Sequence, residues 1–201
     1  MSNFSSFYSY IENSHPITWF VLVWLSFYFI LTFTIFIGRK IYLMSWKRRE
    51  NDSLEAMLIG SKRPKSTSIL SKCTVSTISP NLICVCKNIA EKNATTGLSW
   101  LSIIASTSPF IGLFGTVVSI LETFSKLGQS STASISIIAP AISEALIATA
   151  AGIFVAIPAY TFHIILKRNG YDVLATIQRQ IDLLLSDSFE KEKAEKQNKN
   201  V

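Results

Sequence analysis

The chain has 201 residues, 49% of them hydrophobic, with a formal net charge of +6 and a positive mean hydropathy. That balance excludes an ordinary soluble domain and suits a small membrane protein with a sizeable aqueous part. Cys73, Cys84 and Cys86 are too few and too clustered for a secreted disulfide framework.

Residues 1–16 carry Phe4, Phe7, Tyr8, Tyr10 and Ile11 and read as an aromatic segment along the outer membrane interface. Residues 17–38 form the first apolar span. No Lys or Arg precedes it and Arg39-Lys40 follow it, so it reads as a retained anchor and not a cleaved leader. Residues 39–99 form a cytoplasmic segment. Its first part, with Ile41, Leu54, Met57 and Leu58, predicts a helix leaving the membrane and ending at Gly60–Pro64. After Ser79-Pro80, residues Leu82 to Ala90 are expected to feed helically into a second span at 100–127. A short turn at 128–134 leads to a third span at 135–166, longer than a bilayer needs. In residues 167–201, Leu174, Ile177, Ile181, Leu184 and Leu185 recur at three- and four-residue steps. This predicts an amphipathic helix, followed by a polar, unstructured tail from Glu190. That helix packs either on the cytoplasmic helix of its own chain or between subunits.

Charge orients these elements. Residues 39–99 hold 11 Lys or Arg and residues 167–201 hold 7, which leaves only Lys126 of the 19 elsewhere. By the positive-inside rule both segments are cytoplasmic, and residues 1–16 and 128–134 lie outside. The net charge therefore reflects topology and anionic lipid, with no nucleic-acid partner. The cysteines, on the cytoplasmic side, are expected to be reduced thiols, and Cys84-x-Cys86 lacks a second ligand pair for a metal. The fold class is all-α, with three transmembrane helices and long inner helices extending into the cytoplasm.

The candidate site is Glu144, the one charged residue between Ile135 and Leu166. An ionised side chain at mid-bilayer depth costs about 2.5 kcal/mol or more, so an acid there faces a bundle interior or a water path. Thr116 and Thr149 are candidates for the same proton pathway. Glu144 and Thr149 are about 140° apart on an ideal helix and cannot share one narrow line. Each threonine has the alternative of bonding back to its own helix. For helix packing, Ser108, Gly112 and Thr116 are spaced by four, with Gly115 and Ser119 alongside, and span three carries Ala148, Gly152 and Ala156. Small residues at this spacing let backbones approach closely. Span one lacks them and suits an outer, lipid-facing position, so spans two and three are expected to form the inner layer of an oligomer. Pro109, Pro140 and Pro158 each remove a backbone donor from an inner span. Glu122 and Lys126 read as an interfacial ion pair. The only histidines are His15 and His163, and no phosphate loop or nucleophile–base set can be assembled, so neither an enzyme nor a cofactor is expected.

Two blocks carry a resemblance: Ser108-Pro-Phe-Ile-Gly-Leu-Phe-Gly-Thr-Val117, and Ile138-Ala-Pro-Ala-Ile-Ser-Glu-Ala-Leu-Ile-Ala-Thr-Ala-Ala-Gly152 with Val155-Ala-Ile-Pro-Ala159. They resemble the TolQ/ExbB family, with MotA as a more distant relative. The wording Phe-Ile-Gly-Leu-Phe-Gly and the short N-terminal extension lean toward TolQ. The resemblance implies a pentamer in the bacterial inner membrane with its N-terminus periplasmic. It also implies a single-span TolR- or ExbD-like partner, and a TolA- or TonB-like protein on which the complex works. Carried over residue by residue, the functional acid is Glu144 and the motif threonines are Thr116 and Thr149. Where the family has Trp-Gly after Gly-Thr-Val, this chain has Val118-Ser119, and its Gly after Ala-Pro is Ala141. The implied function is a proton-driven motor serving Tol-Pal envelope integrity and cell division. The alternatives are an ExbB-type subunit energising TonB-dependent import, or a non-conducting scaffold in which Glu144 is structural.

Overall fold

The computed structural model describes residues 16–61, 64–73, 80–128 and 135–198. The expected interfacial segment, apart from Pro16, and the expected turn at 128–134, apart from Gly128 at the end of a helix, lie outside them. Five helices make up the regular structure among the described residues: α1 Pro16–Leu58, α2 Ile69–Cys73, α3 Pro80–Thr95, α4 Leu98–Gly128 and α5 Ile135–Asn198. Three of them, α1, α4 and α5, are long and apolar enough to cross a membrane. At 1.5 Å per residue the 43 residues of α1 extend about 65 Å, roughly twice the hydrocarbon thickness.

Two boundaries differ from the sequence expectation. The chain does not run helically from Ala90 into the second span, because Gly97 turns it with a φ of 80° that a side chain disfavours. Arg39 holds that turn by donating from its guanidinium to the carbonyls of Asn93 (2.7 Å) and Ala94 (3.3 Å), which are orphan acceptors at the end of α3. The second difference is that no break separates span three from the amphipathic helix. Lys167-Arg168 and the tail to Asn198 continue α5 as one 64-residue helix, because nothing after Pro158 interrupts its hydrogen-bond ladder.

The chain divides into two compact units. The first comprises α1 up to Phe36, α4 from Trp100 and α5 up to His163. Its core is Val21, Leu25, Ile104, Ala148, Val155 and Ala159. Here α1 and α5 run parallel, joined by a ladder of rings: Phe29 stacks on Phe154 at 5.8 Å, Phe36 on Phe162 at 3.9 Å, and Phe33 meets Phe162 edge-on. On α1, Phe20, Val23, Trp24, Phe27 and Ile30 stay exposed, the composition expected of a surface facing lipid.

The second unit comprises α1 from Ile37, then α2 and α3, and α5 from Ile164. Val173, Ile177, Ile181 and Leu184 of α5 are buried. The buried row thus enters at Val173, one position before Leu174, and packs on α1 of the same chain. Lys47 pairs with Asp172 at 2.7 Å, and Thr176 donates to Asn51 at 3.2 Å. At its centre lies Glu50, with no exposed surface. Its Oε1 accepts from Trp46 Nε1 (3.0 Å) and the Ile69 amide (3.1 Å). Its Oε2 accepts from Ser68 Oγ (2.7 Å) and Gln180 Nε2 (3.1 Å). Gln180 Nε2 also donates to the Glu50 carbonyl at 2.8 Å, and Ser53 Oγ donates to Gln180 Oε1 at 3.5 Å. Four donors from three helices and a turn thus satisfy one buried carboxylate. The reduced-thiol expectation needs correction for Cys86, which is disulfide-bonded, while Cys84 is a free, exposed thiol.

Candidate functional site

Glycine decides where α4 and α5 meet. A Cβ on Gly112 would lie 2.7 Å from the Ala148 carbonyl oxygen, and one on Gly152 would lie 2.6 Å from the Ser108 carbonyl oxygen. Both distances are shorter than any real Cβ contact, so the two backbones touch only because neither residue has a side chain. Ala145 and Ala148 are fully buried on either side of this crossing. Gly112, Gly115, Ala148 and Gly152 lie at the contacts between α4 and α5. Pro140, by contrast, is exposed and does not enter the crossing.

The close approach brings Thr116 and Thr149 together. Their Oγ1 atoms are hydrogen-bonded to each other. Thr116 Oγ1 is also within hydrogen-bonding distance of two alternative acceptors, Gly112 O on its own helix (3.1 Å) and Ala145 O across the crossing (3.3 Å). Thr149 does not use its own helix. Its Oγ1 reaches Gly112 O on α4 at 3.4 Å. The back-bonding alternative thus describes part of Thr116 and none of Thr149. Each hydroxyl carries one proton, so the pair supports two senses: Thr149 donating to Thr116, or Thr116 donating to Thr149. Such a pair can reverse without moving a heavy atom.

Glu144 is half-buried on α5. It is not among the partners of either threonine, whose bonds run to one another and to Gly112 and Ala145. The structure therefore assembles the hydroxyls and leaves the acid five residues away along α5, as the helical phase required. Toward the far end of α4, Lys126 pairs with Glu122 at 3.0 Å, the expected i,i+4 ion pair.

Two residues of this unit escape a sequence reading. Ser119 looks like one more small packing residue, and Thr18 opens an aromatic-rich span. Both are 1% exposed, and neither hydroxyl has a hydrogen-bond partner in the protein. The other buried hydroxyls of α4 do: Ser108 donates to Ile104 O and Thr123 to Ser119 O.

The profile of the MotA/TolQ/ExbB proton channel family matches residues 86–179, a stretch that contains the helix crossing, both threonines and Glu144. Over 186 residues the chain is 46% identical to a putative biopolymer transport protein, ExbB-like 1, of Helicobacter pylori strain J99, covering 91% of this chain and 98% of that protein. The chain belongs to the MotA/TolQ/ExbB proton channel family. It is 27% identical to the biopolymer transport protein ExbB of Pseudomonas putida, over 92% of this chain and 65% of that protein. A 73-residue match to ExbB of Neisseria gonorrhoeae reaches 51% identity over 36% of this chain and 33% of that protein. As a family member with three membrane-length helices, it is a multi-pass inner-membrane protein. The family works with ExbD- or TolR-type and TonB- or TolA-type partners.

Proposed function

We propose that this chain is the ring-forming, proton-conducting subunit of an ExbB-type motor, with Glu144 as the proton-exchanging acid and the Thr116–Thr149 pair as its relay. The observation that carries this reading is the hydroxyl pair at the Gly112–Gly152 crossing, which can reverse its donor sense without heavy-atom motion. In this reading the N-terminus is periplasmic and the basic segments are cytoplasmic. Five copies surround a single-span partner whose own carboxylate meets the ring. One proton charge moved through 100 mV releases about 2.3 kcal/mol, so a few protons suffice for a conformational step. The chemistry is proton transfer coupled to movement, with no bond made or broken in a substrate.

The test is proton uptake into proteoliposomes holding the protein and its co-purified single-span partner, wild type against Glu144→Gln. Loss of partner-dependent flux, with the complex still assembled, is the expected result. Unchanged flux sinks the reading and makes Glu144 structural.

The names of the relatives favour import energisation over the Tol-Pal role that the wording of residues 110–115 suggested. A deletion strain separates them. Failure to use chelated iron marks the ExbB role, and detergent sensitivity with chained cells marks Tol-Pal.

A further inference from the structure

Three helices touch at one point in the first unit. A Cβ placed on Gly115 of α4 would be 3.2 Å from Val21 Cγ1 of α1 and 3.2 Å from Ala148 Cβ of α5. Residues three or four positions from a contact on a helix lie on the same face, one turn along. Toward the end that holds the N-terminus of α1, that next turn presents Thr18 on α1. Because α4 runs antiparallel to α1 and α5, it presents Ser119 there, four residues beyond Gly115. On α5, four residues before Ala148, it presents Glu144. Glu144 also falls on the stripe of α5 that includes Val155 and Phe162, the stripe turned toward α1. Helical phase therefore puts three oxygen-bearing residues at one level of the seam.

Two of them are anomalous. Thr18 and Ser119 are each 99% buried, and their hydroxyls have no protein partner. A hydroxyl left so forgoes the hydrogen bonds it makes in water, which opposes its burial. Serine inside a helix normally escapes this cost by donating to the carbonyl four residues back, as Ser108 and Thr123 do here and Ser119 does not. Thr18 sits in the first turn of α1. Buried polar groups left over by the protein are characteristically met by ordered water, which needs two to four such partners.

We infer that Thr18, Ser119 and Glu144 form a water-binding site inside a single subunit, and that its water passes the proton between Glu144 and the Thr116–Thr149 pair. The inference rests on the conduction reading above and supplies what that reading lacks. Glu144 and Thr149 diverge around α5, but Ser119 lies three residues from Thr116 on one face of α4, about 4.5 Å along its axis. Water held by Ser119 thus has the acid on one side and the hydroxyl pair on the other. The protonated Glu144 carboxyl gives its proton to the water, the water hands one of its own to one threonine oxygen, and the other threonine hydroxyl releases its proton onward, so the pair keeps two protons and reverses its sense. The carboxylate that remains is reprotonated from the opposite side of the membrane. Only O–H bonds are exchanged, and Thr18 and Ser119 end each cycle unchanged as positioning residues.

The test pairs proton flux in the reconstituted complex with the infrared carboxyl stretch of Glu144, assigned by its loss in Glu144→Gln. Thr18→Val and Ser119→Val replace each hydroxyl by a methyl of similar or larger volume. They are expected to lower flux at least about tenfold and move the carboxyl band to higher frequency as its water partner is lost. Thr18→Ser and Ser119→Thr restore both readouts. Ser119→Ala, which only removes the hydroxyl, serves where valine disturbs assembly and moves the band in the same direction. If both valine variants conduct like wild type and leave the band in place, the inference is overturned while the conduction reading stands. If wild type carries no flux but the band moves in both, the water site stands and the conduction reading falls.

Discussion

Glu50 and Glu144 are the same residue in two regions of opposite design. Glu50 is fully buried in the second unit, and four protein donors meet its two oxygens from fixed distances of 2.7–3.1 Å. Glu144 is half-buried in the first unit, which also holds the two buried hydroxyls of Thr18 and Ser119 that have no hydrogen-bond partner in the protein. Rigid donors around both oxygens make Glu50 a strut that ties α1, α2 and α5 together. In the proposed mechanism Glu144 works instead in a seam opened by glycine and alanine. The difference lies in the surroundings, since composition cannot distinguish the two acids.

The comparison breaks most visibly at Glu50. Replacing it by Ala leaves the Trp46 indole, the Ile69 amide and one of the two N–H groups of Gln180 Nε2 without an acceptor, at about 1–3 kcal/mol for each buried group. A loss of 3 kcal/mol or more is expected, read as a drop of many degrees in melting temperature in detergent, of order 10 °C. Glu144→Gln should leave that temperature nearly unchanged while abolishing flux. Equal destabilisation by the two substitutions would refute the contrast.

The glycine crossing comes next. Gly152→Ala forces a methyl to within 2.6 Å of the Ser108 carbonyl, so α4 and α5 must part at a cost of about 1–3 kcal/mol. The same change at Gly38, where a Cβ meets nothing within 4 Å, should instead stabilise the helix by about 0.5–1 kcal/mol. Opposite signs in parallel melts are the expected outcome.

The smallest effect is that of the Lys47–Asp172 pair. Its side chains are 41% and 44% exposed, and such pairs are worth at most about 1 kcal/mol. The hydrogen bond from Lys47 holds the Asp172 carboxyl below its usual value of 3.8. Its stabilisation is thus fully present above that value and is lost as pH falls through the lower folded one. Asp172→Asn should melt slightly lower than wild type at neutral pH, and the two should converge in strong acid. A gap that persists there would assign the effect to packing.

Much of the architecture was legible because single residues announce it. Glu144 stands alone in an apolar run, Arg39-Lys40 close the first span, and Gly112 and Gly152 mark a close approach. The break at Gly97 was not legible, since it depends on Arg39, more than 50 positions away, capping α3. Nor was the role of Glu50, which reads in isolation as one more charge on a cytoplasmic helix. Its burial depends on Gln180, 130 positions along the chain. The face chosen by the C-terminal part of α5 was legible only as an alternative, and the contacts of Asp172, Thr176 and Gln180 place it on α1 of the same chain.

By itself the sequence determined the three spans and the acid within the third. The reason is that a bilayer imposes a fixed apolar length and a large charge cost that local composition must obey. Only the tertiary structure decided which polar groups meet. That depends on the rotational phase and axial register of three helices, set at the points where Gly112, Gly115 and Gly152 let their neighbours in. From this register follow the joining of Thr116 to Thr149 and the burial of the Thr18 and Ser119 hydroxyls without a protein partner.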